Sequence, residues 1–287
     1  MWTLQTNKRE TMTRHTRALG LALATAMAGG VSAHAGPFDI PESERETFLD
    51  VGVAYVGRAA YVGSDERDEN IFPYAAAEYR GRYFFNPAQG LGVNLINRDG
   101  LVVAPAAFFA SGRNADDTPF VLADTASGDR VVTPAVDDAF DLDSSFTVGG
   151  LVSYLLPFAR FDGQIQFPVT GDVDGFRGDL TLTTRLPLGE RFFIAPGVRA
   201  TYTSDDWSNS YYGIDAVQAA AVGLSEFDTG GGFHTLGAHV IATFEVVEDY
   251  NVIGALNYSS LRDEAKDSPL SPDNDALTAV VGVARRF

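Results

Sequence analysis

From Phe48 onward, apolar and polar residues alternate along most of the chain. The segment 48–61 begins FLDVGVAY, and the same alternation recurs in ARFDGQIQF (159–167) and DLTLTTRL (179–186). Because successive side chains of a strand point to opposite faces, a period of two predicts strands with one apolar and one polar face.

The length of these segments distinguishes a membrane barrel from a soluble sandwich, which would show the same alternation. Many segments run over 11 to 14 residues, whereas strands of soluble sheets usually have ~5–6 and a tilted bilayer-crossing strand needs ~9–11. Short turns such as 189–190 and 248–249 alternate with long acidic loops. The pattern predicts an all-β, antiparallel transmembrane β-barrel with short periplasmic turns and long outer loops.

The alternation of short and long connections predicts twelve strands if the chain reverses at Pro87–Gly90, where proline and glycine favour a turn. The final strand, which ends at Phe287, is then expected to pair with the first strand and close the barrel. Asp162 and Arg185 are expected to face the lumen. The predicted strands are 48–61, 71–80, 82–86, 91–96, 101–112, 145–156, 159–168, 176–187, 191–203, 233–247, 250–261 and 276–287.

The N-terminal segment resembles a secretion signal. Two arginines precede an Ala- and Leu-rich run at 18–28, and Ala33 and Ala35 fit a signal-peptidase site. A membrane anchor is the alternative, but the run is too short to span a bilayer as a helix. We therefore predict a signal peptide at 1–35, a periplasmic lead-in at 36–47 and an outer-membrane barrel at 48–287.

Charge and composition exclude two kinds of partner or site. The chain has 21 Lys+Arg and 38 Asp+Glu, a net charge of −17; removing residues 1–35 takes away four basic residues and one acidic residue, which gives −20. Nucleic acid is not an expected partner, because phosphate binding needs a basic face. The absence of cysteine excludes disulfides and thiolate metal sites.

The acidic loops and the two histidines of the mature chain are the candidates for metal binding or catalysis. The carboxylates of 62–70 and 113–143 could bind calcium, but they lack the spacing of a calcium loop, so solvated loops are the preferred interpretation. Divalent bridging to lipopolysaccharide is a further alternative. His234 and His239 are five residues apart on a predicted strand and are expected to face opposite ways. No cofactor, metal site or enzymatic activity is predicted.

The most distinctive loop is SYYGIDAVQAAAVGLSEFDTGGG, residues 210–232. Asp215 is a suitable helix N-cap, 216–222 is helix-prone, and Gly223 is a suitable stop. The apolar content predicts that the loop packs on the barrel, over its mouth or in its lumen. A decorative surface loop is the alternative. The candidate mouth residues are Tyr211, Tyr212, Asp215, Gln218 and Phe227.

Four segments resemble the MipA/OmpV family of MltA-interacting proteins. They are AAYVGSDERDENIFPYAAAEYRGRYFF (59–85), GLGVNLINRDGLVVAPAAFF (90–109), SYYGIDAVQAAAVGLSEF (210–227) and LNYSSLRDEAKDSPLSPDNDALTAVVGVARRF (256–287). The resemblance implies an outer-membrane barrel. For the namesake it implies a scaffold that joins a lytic murein transglycosylase to a penicillin-binding protein, whereas other members are described as porin-like.

Three functional hypotheses follow. The first is a non-enzymatic docking protein for murein enzymes, fixed in the outer membrane and using periplasmic turns that carry Arg80, Arg82, Arg98, Arg160 and Arg191. The second is a porin-like channel for small solutes, in which an acidic lumen would favour cations. The third is an adhesin that uses the acidic outer loops, and only loop length supports it.

Overall fold

A computed structural model describes residues 47–120, 122, 123, 130, 131, 136 and 139–287. Within them, twelve antiparallel strands form one closed ring. They are β1 Phe48–Ala59, β2 Arg67–Tyr79, β3 Tyr83–Asn86, β4 Gly90–Val93 continued by Ile96–Arg98, β5 Leu101–Ala110, β6 Ser145–Leu155, β7 Arg160–Pro168, β8 Arg177–Thr183 continued by Leu186–Pro187, β9 Phe192–Thr203, β10 Gly232–Val247, β11 Tyr250–Leu261 and β12 Asp275–Arg286. The prediction of a twelve-stranded antiparallel barrel is confirmed.

The ring closes between the first and last strands. β1 pairs with β12 in a register that sets Val53 opposite Val283. Beyond the last paired residues, Leu49 and Phe287 exchange backbone hydrogen bonds of 3.3 and 2.9 Å. Closure leaves no free sheet edge along this seam, as the hydrocarbon of a membrane requires.

The alternation of the sequence matches the two faces of the wall. On β1, Ala54 and Val56 are buried while Val51, Val53 and Tyr55 are exposed. Exposed apolar side chains recur outside nearly every strand, including Ile71, Leu91, Phe146, Ile165, Leu180, Val198, Leu236, Leu256 and Val281. Such a surface suits acyl chains rather than water.

One part of the barrel wall is shorter than the rest, because β3 and β4 form a short hairpin that reverses at 87–89. β2 pairs with β3 only from Ala77 to Tyr79, although it extends upward to Arg67. The Gly90–Val93 segment of β4 pairs with β5 at only two positions, Leu91 and Gly92, and the Ile96–Arg98 segment pairs with it at three. Pro73 lies in the portion of β2 above its last pair with β3; proline belongs at such a place because it has no N–H to donate.

Apolar side chains fill much of the interior. One buried cluster joins Ala54, Val56 and Phe72 to Ala195, Ile241, Ala255 and Val280, so it connects six neighbouring strands, β2, β1 and β12 to β9. A second cluster contains Phe84, Phe108 and Leu151. These inward-facing side chains are therefore shielded from water at these levels of the barrel.

Every predicted strand boundary except the start of β2 lies within two residues of the observed one. β2 begins at Arg67, four residues before the predicted 71, because the charged residues that suggested a loop extend the strand above the apolar band. Arg185 was one of the residues expected to face the lumen. Its guanidinium carbon lies 4.0 Å from the centroid of the Phe193 ring. The predicted signal peptide and most of the predicted lead-in lie outside the described residues. Among the residues that the structure describes, no helix has the length and apolar character of a membrane span.

Candidate functional site

The loop between β9 and β10 forms two short helices, α1 Asp205–Tyr212 and α2 Ala216–Val222. Asp215 accepts hydrogen bonds from the backbone N–H groups of Val217 and Gln218, and the Gln218 side chain accepts one from the Asp215 N–H. This capping box and the left-handed Gly223 delimit α2 as the sequence predicts. α1 was not predicted, although Ser204 followed by two aspartates is an N-terminal helix signal.

These helices, together called the cap, are bound to loops from other parts of the ring. The Tyr211 hydroxyl donates to the Ser111 carbonyl at the end of β5 (2.5 Å), and the Tyr212 hydroxyl donates to the Val62 carbonyl after β1 (3.0 Å). The Gln218 side chain donates to Ala139 O (2.8 Å). Because β1 and β5 lie on either side of the ring from β9, the cap spans the mouth.

A small apolar core holds the cap to its neighbouring loops. Its buried members come from three loops and are Ala115, Val136, Phe140, Ile214, Ala219 and Leu270. Phe227 packs against this core and pairs with Ile214 through two backbone hydrogen bonds of 2.9 Å. Burial of apolar area explains why a loop of this length has one defined position.

Arg113 links the cap to the loop that follows β5. Its buried guanidinium donates to the carbonyls of Phe140 and Tyr211 and lies 5.7 Å from the Tyr61 ring centroid. Burial lowers the pKa of Arg113, while burial raises the pKa of Tyr211 to about 12 and raises the pKa of Tyr212 further. The cap is thus polar at its contacts but shielded from water.

Beneath the cap lies a cavity of about 160 Å³, the outer cavity, lined by the outer ends of the strands and by α1. Its charged side chains are Arg58, Arg177 and Arg199, and its aromatic wall includes Trp207, Tyr211 and Tyr212. The barrel interior also contains Asp50, Asp162 and Asp179, so side chains of both charges face the lumen. The alternation in the sequence predicts that these arginines lie on the polar faces of their strands. It does not predict that the three strands place them around one cavity.

The three arginines of the outer cavity all contact neighbouring side chains. Arg177 forms a salt bridge with buried Asp179 at 2.9 Å, and Arg58 lies 3.7 Å from Asp68, which is 41% exposed. Arg199 donates to the Thr181 hydroxyl at 3.3 Å. These contacts hold the guanidinium groups in place.

The expectation that the two histidines face opposite ways is wrong. Both are buried: His239 bonds Thr183 at 3.1 Å, and His234 lines the outer cavity. The reason is an irregularity near the start of β10, where the pairing with β9 shifts register between Thr201 and Thr203. An extra residue in one strand reverses the facing of those that follow.

At the opposite end of the barrel, four of the five predicted docking arginines are exposed. Arg80 and Arg82 lie 5.1 and 5.8 Å from the ring centroids of Tyr79 and Tyr83. Arg98 and Arg191 are also exposed.

The fifth, Arg160, does not fit the prediction. Its guanidinium bonds Asp162 at 2.8 Å and is only 15% exposed, because inward alternation on β7 turns it into the lumen. Arg285, which was not among the predicted docking residues, is exposed and stacks over Tyr250 and Phe287.

The acidic loops do not form a metal site within the part of the chain that the structure describes, where no group of three or more His, Asp or Glu side chains is arranged for a cation. Asp117 instead accepts a hydrogen bond from Asn114 at 3.0 Å, and Asp141 accepts one from the Ala115 N–H at 2.8 Å. Asp124, Asp129, Asp137 and Asp138 lie outside the described residues.

Several known proteins are similar to this chain in sequence, at low identity. The MltA-interacting protein of Escherichia coli (strain K12) is 22% identical over 274 residues, which cover 94% of this chain and 97% of that protein. A protein of the same organism named "Putative outer membrane protein YiaT" is 26% identical over 129 residues, 44% of this chain. The chain spans about half the length of YiaT, 52%.

Solved barrels of similar shape include the translocator domain of the autotransporter NalP from Neisseria meningitidis, with 11% identity, coverage of 97% and 98% of the two chains, and a TM-score of 0.47. The NanC porin has 9% identity, coverage of 83% and 98%, and a TM-score of 0.41. The family model described as MltA-interacting protein MipA matches residues 51–287. With its closed barrel and outer-membrane relatives, this chain is an outer-membrane protein and belongs to the MipA family.

Proposed function

We propose that this protein is a non-enzymatic scaffold in the outer membrane that docks murein-processing enzymes at its periplasmic turns. The observation that carries the proposal is the group of exposed arginines at the turn end of a strongly acidic chain, Arg80, Arg82, Arg98, Arg191 and Arg285. The name of the full-length relative supports it, since it describes an interaction with MltA, a lytic transglycosylase. A penicillin-binding protein is the second proposed partner.

The turn end suits docking because several of its arginines are positioned by aromatic rings. Arg80 and Arg285 both lie over such rings, and stacked guanidiniums lose less freedom when they form an ion pair. Anchoring in the membrane also confines both partners to a thin layer, so that modest affinities suffice. The expected partner surface is acidic.

A channel is the second candidate from the sequence, but the geometry favours it less. The cap crosses the mouth through hydrogen bonds to the Val62 and Ser111 carbonyls. Buried apolar side chains, including Phe72 and Ile241, face the lumen below. A solute would therefore have to displace two separate obstacles.

A comparison of matched charge variants tests the docking proposal. The double variant Arg80→Gln/Arg82→Gln should lose most of its binding to a purified lytic transglycosylase in a pull-down from detergent. The control Arg67→Gln/Arg262→Gln removes two exposed arginines at the loop end and should bind like the unmodified chain. Equal binding by both variants would reject the turn end as the docking surface, and absence of binding by the unmodified chain would reject the scaffold.

A further inference from the structure

The barrel wall is incomplete on its outer side, between β2 and β5. β3 and β4 reverse at 87–89, and β2 pairs with β3 only as far up as Ala77. β2 nevertheless extends up to Arg67, and β5 extends up to Ala110. The outer part of the wall therefore lacks two strands here. At a strand spacing of about 4.8 Å, the space between the flanking backbones is at most about 14 Å wide. We call this space the wall gap.

The pairing of β2 with β1 determines which backbone groups of β2 face the wall gap. Leu49 of β1 bonds to Phe287 of β12, and backbone groups alternate between the two edges of a strand, so the even-numbered residues of β1 bond to β2. Even-numbered residues of the two strands lie opposite each other. The N–H groups of Glu69, Ile71 and Ala75 consequently point into the wall gap, where they have no hydrogen bond to another residue that the structure describes.

This free edge of β2 is open to its surroundings. Ile71 is 74% exposed, and Glu69 and Pro73 are exposed as well. Pro73 lies between Ile71 and Ala75 on the same edge; it has no N–H, but its carbonyl faces the wall gap. Unpaired backbone groups are costly in hydrocarbon. The wall gap therefore requires an occupant that both donates and accepts hydrogen bonds.

The wall gap lies at the depth of the outer leaflet. Tyr79 ends β2 at the periplasmic side, where Arg80 of the turn lies over its ring. A tilted strand crosses a bilayer in ~9–11 residues, so the outer edge of the hydrocarbon lies near residues 69–71. The free N–H groups thus extend from the membrane interface at Glu69 to the upper hydrocarbon at Ala75.

The borders of the wall gap are apolar. Phe84 and Phe108 belong to one buried cluster at its lower end and on its β5 side. Phe72 and Tyr74 are the buried neighbours of the free edge on β2. Side chains of this kind favour contact with hydrocarbon. The occupant therefore combines apolar chains with a few groups that match a peptide edge.

A strand from a second copy of the protein does not fit the wall gap. Antiparallel pairing of two β2 edges would place the copy upside down in the membrane. A copy inserted in the same direction and related by a two-fold axis along the membrane normal would cross β2 at about twice the strand tilt, roughly 80°. Pro73 also interrupts the row of donors that a partner strand would use. A lipid meets none of these obstacles.

We propose that the wall gap binds amide-linked, hydroxylated acyl chains of the lipid A part of lipopolysaccharide. An amide and a hydroxyl each donate and accept, so they can bond to both the N–H and the carbonyl groups of the free edge. The ester groups of a phospholipid only accept. The methylene chains then cover the apolar borders. This site lies in the barrel wall and does not depend on docking at the periplasmic turns.

Hydrogen exchange of the full chain in detergent tests the proposal. Exchange is compared without lipid, with lipid A and with phosphatidylethanolamine of the same chain length. The amides of Glu69, Ile71 and Ala75 should exchange at least about tenfold more slowly with lipid A, and phosphatidylethanolamine should protect them much less. β12, which is paired on both edges, is the internal control and should exchange equally slowly in all three samples.

A proline variant removes one donor of the free edge. Ile71→Pro leaves the pairing with β1 intact, because the N–H of residue 71 faces the wall gap and the same edge already holds Pro73. It should weaken lipid A binding about fivefold in a titration followed by native mass spectrometry. Ile71→Val keeps the N–H and should bind within about twofold of the unmodified chain.

A second pair of variants provides a test if Ile71→Pro does not fold. Ala75→Trp places a large side chain at the border of the wall gap and should abolish the lipid A complex. Ala279→Trp makes the same change on the lipid-facing side of β12, where both edges are paired, and should leave the complex unchanged.

Four results would overturn the proposal. The first is no protection of the three amides by lipid A. The second is equal protection by phosphatidylethanolamine, which would remove the role of the amide and hydroxyl groups. The third is protection that rises with protein concentration in lipid-free detergent, since a second copy would then cover the edge. The fourth is unchanged lipid A affinity in both Ile71→Pro and Ala75→Trp, which would place the binding elsewhere on the barrel.

Discussion

Arg286 and Asp50 form a bidentate ion pair between the last and first strands, with both N–O distances at 2.8 Å across a sequence separation of 236 residues. Asp50 is 6% exposed, so its carboxylate is buried beside the closing seam. The Arg286 guanidinium also lies over the Phe48 ring, 4.7 Å from its centroid. The pair fixes the register in which the chain ends meet.

Removing the arginine of this pair should weaken the barrel. Arg286→Gln leaves the Asp50 carboxylate buried without its partner and is expected to lower the free energy of unfolding by about 2–4 kcal/mol. Urea unfolding followed by circular dichroism measures this. Arg285→Gln is the control, because Arg285 stacks on the outer face; an equal loss in both variants would contradict the assigned role.

Gly197 should not tolerate a methyl group. A Cβ at this position would meet the His239 ring and lie 2.7 Å from the Leu182 carbonyl, so Gly197→Ala should cost about 1–3 kcal/mol of stability through overpacking. Gly254→Ala, where nothing lies within 4 Å, should be nearly neutral. The midpoints of thermal unfolding of the two variants measure this difference. Similar midpoints would show that the barrel wall around Gly197 shifts to accommodate the methyl group.

The capping box should control the local stability of α2. Asp215→Ala removes hydrogen bonds of 2.8 Å to two backbone N–H groups and should cost about 1 kcal/mol. Hydrogen exchange at residues 216–222 should accelerate while exchange in the strands stays unchanged. Val217→Ala, at a position 71% exposed on the same helix, should leave the exchange slow; acceleration there too would attribute the effect to α2 in general.

High pH should loosen the cap. Burial raises the pKa of Tyr211 to about 12, against about 10 in an unfolded chain, so the folded cap retains a proton that the open cap loses. This contribution to stability is complete below pH ~10 and disappears as pH rises toward about 12. Tyrosinate absorbance should show a late step that Tyr211→Phe reduces, and an unchanged titration in that variant would contradict the assignment.

Ion conductance should be absent with or without the cap. The apolar cluster around Val56 and Ile241 lies in the lumen itself, and deleting residues 205–227 does not remove it. Planar-bilayer recordings of the intact and deleted proteins should both show no stable steps. Regular steps after the deletion would show that the cap alone blocks a channel, whereas steps in the intact protein would favour the channel hypothesis directly.

The sequence by itself determined the wall. A period of two in segments such as β11, predicted at 250–261 and found at Tyr250–Leu261, fixes which side chains face lipid, because a slip of one residue would turn a whole strand inside out. Local capping chemistry likewise defined α2 through Asp215 and Gly223. These are properties of neighbouring residues, which a sequence displays directly.

Only the tertiary structure decided what the interior does. Arg58, Arg177 and Arg199 come from three strands and meet under a cap whose contacts span up to 150 residues. A single register shift turned His234 into the same cavity, and the alternation of β7 turned Arg160 away from the turns. Strand order, shear and loop packing determine which of these side chains lie close together. All three depend on long-range strand pairing that no local sequence pattern encodes.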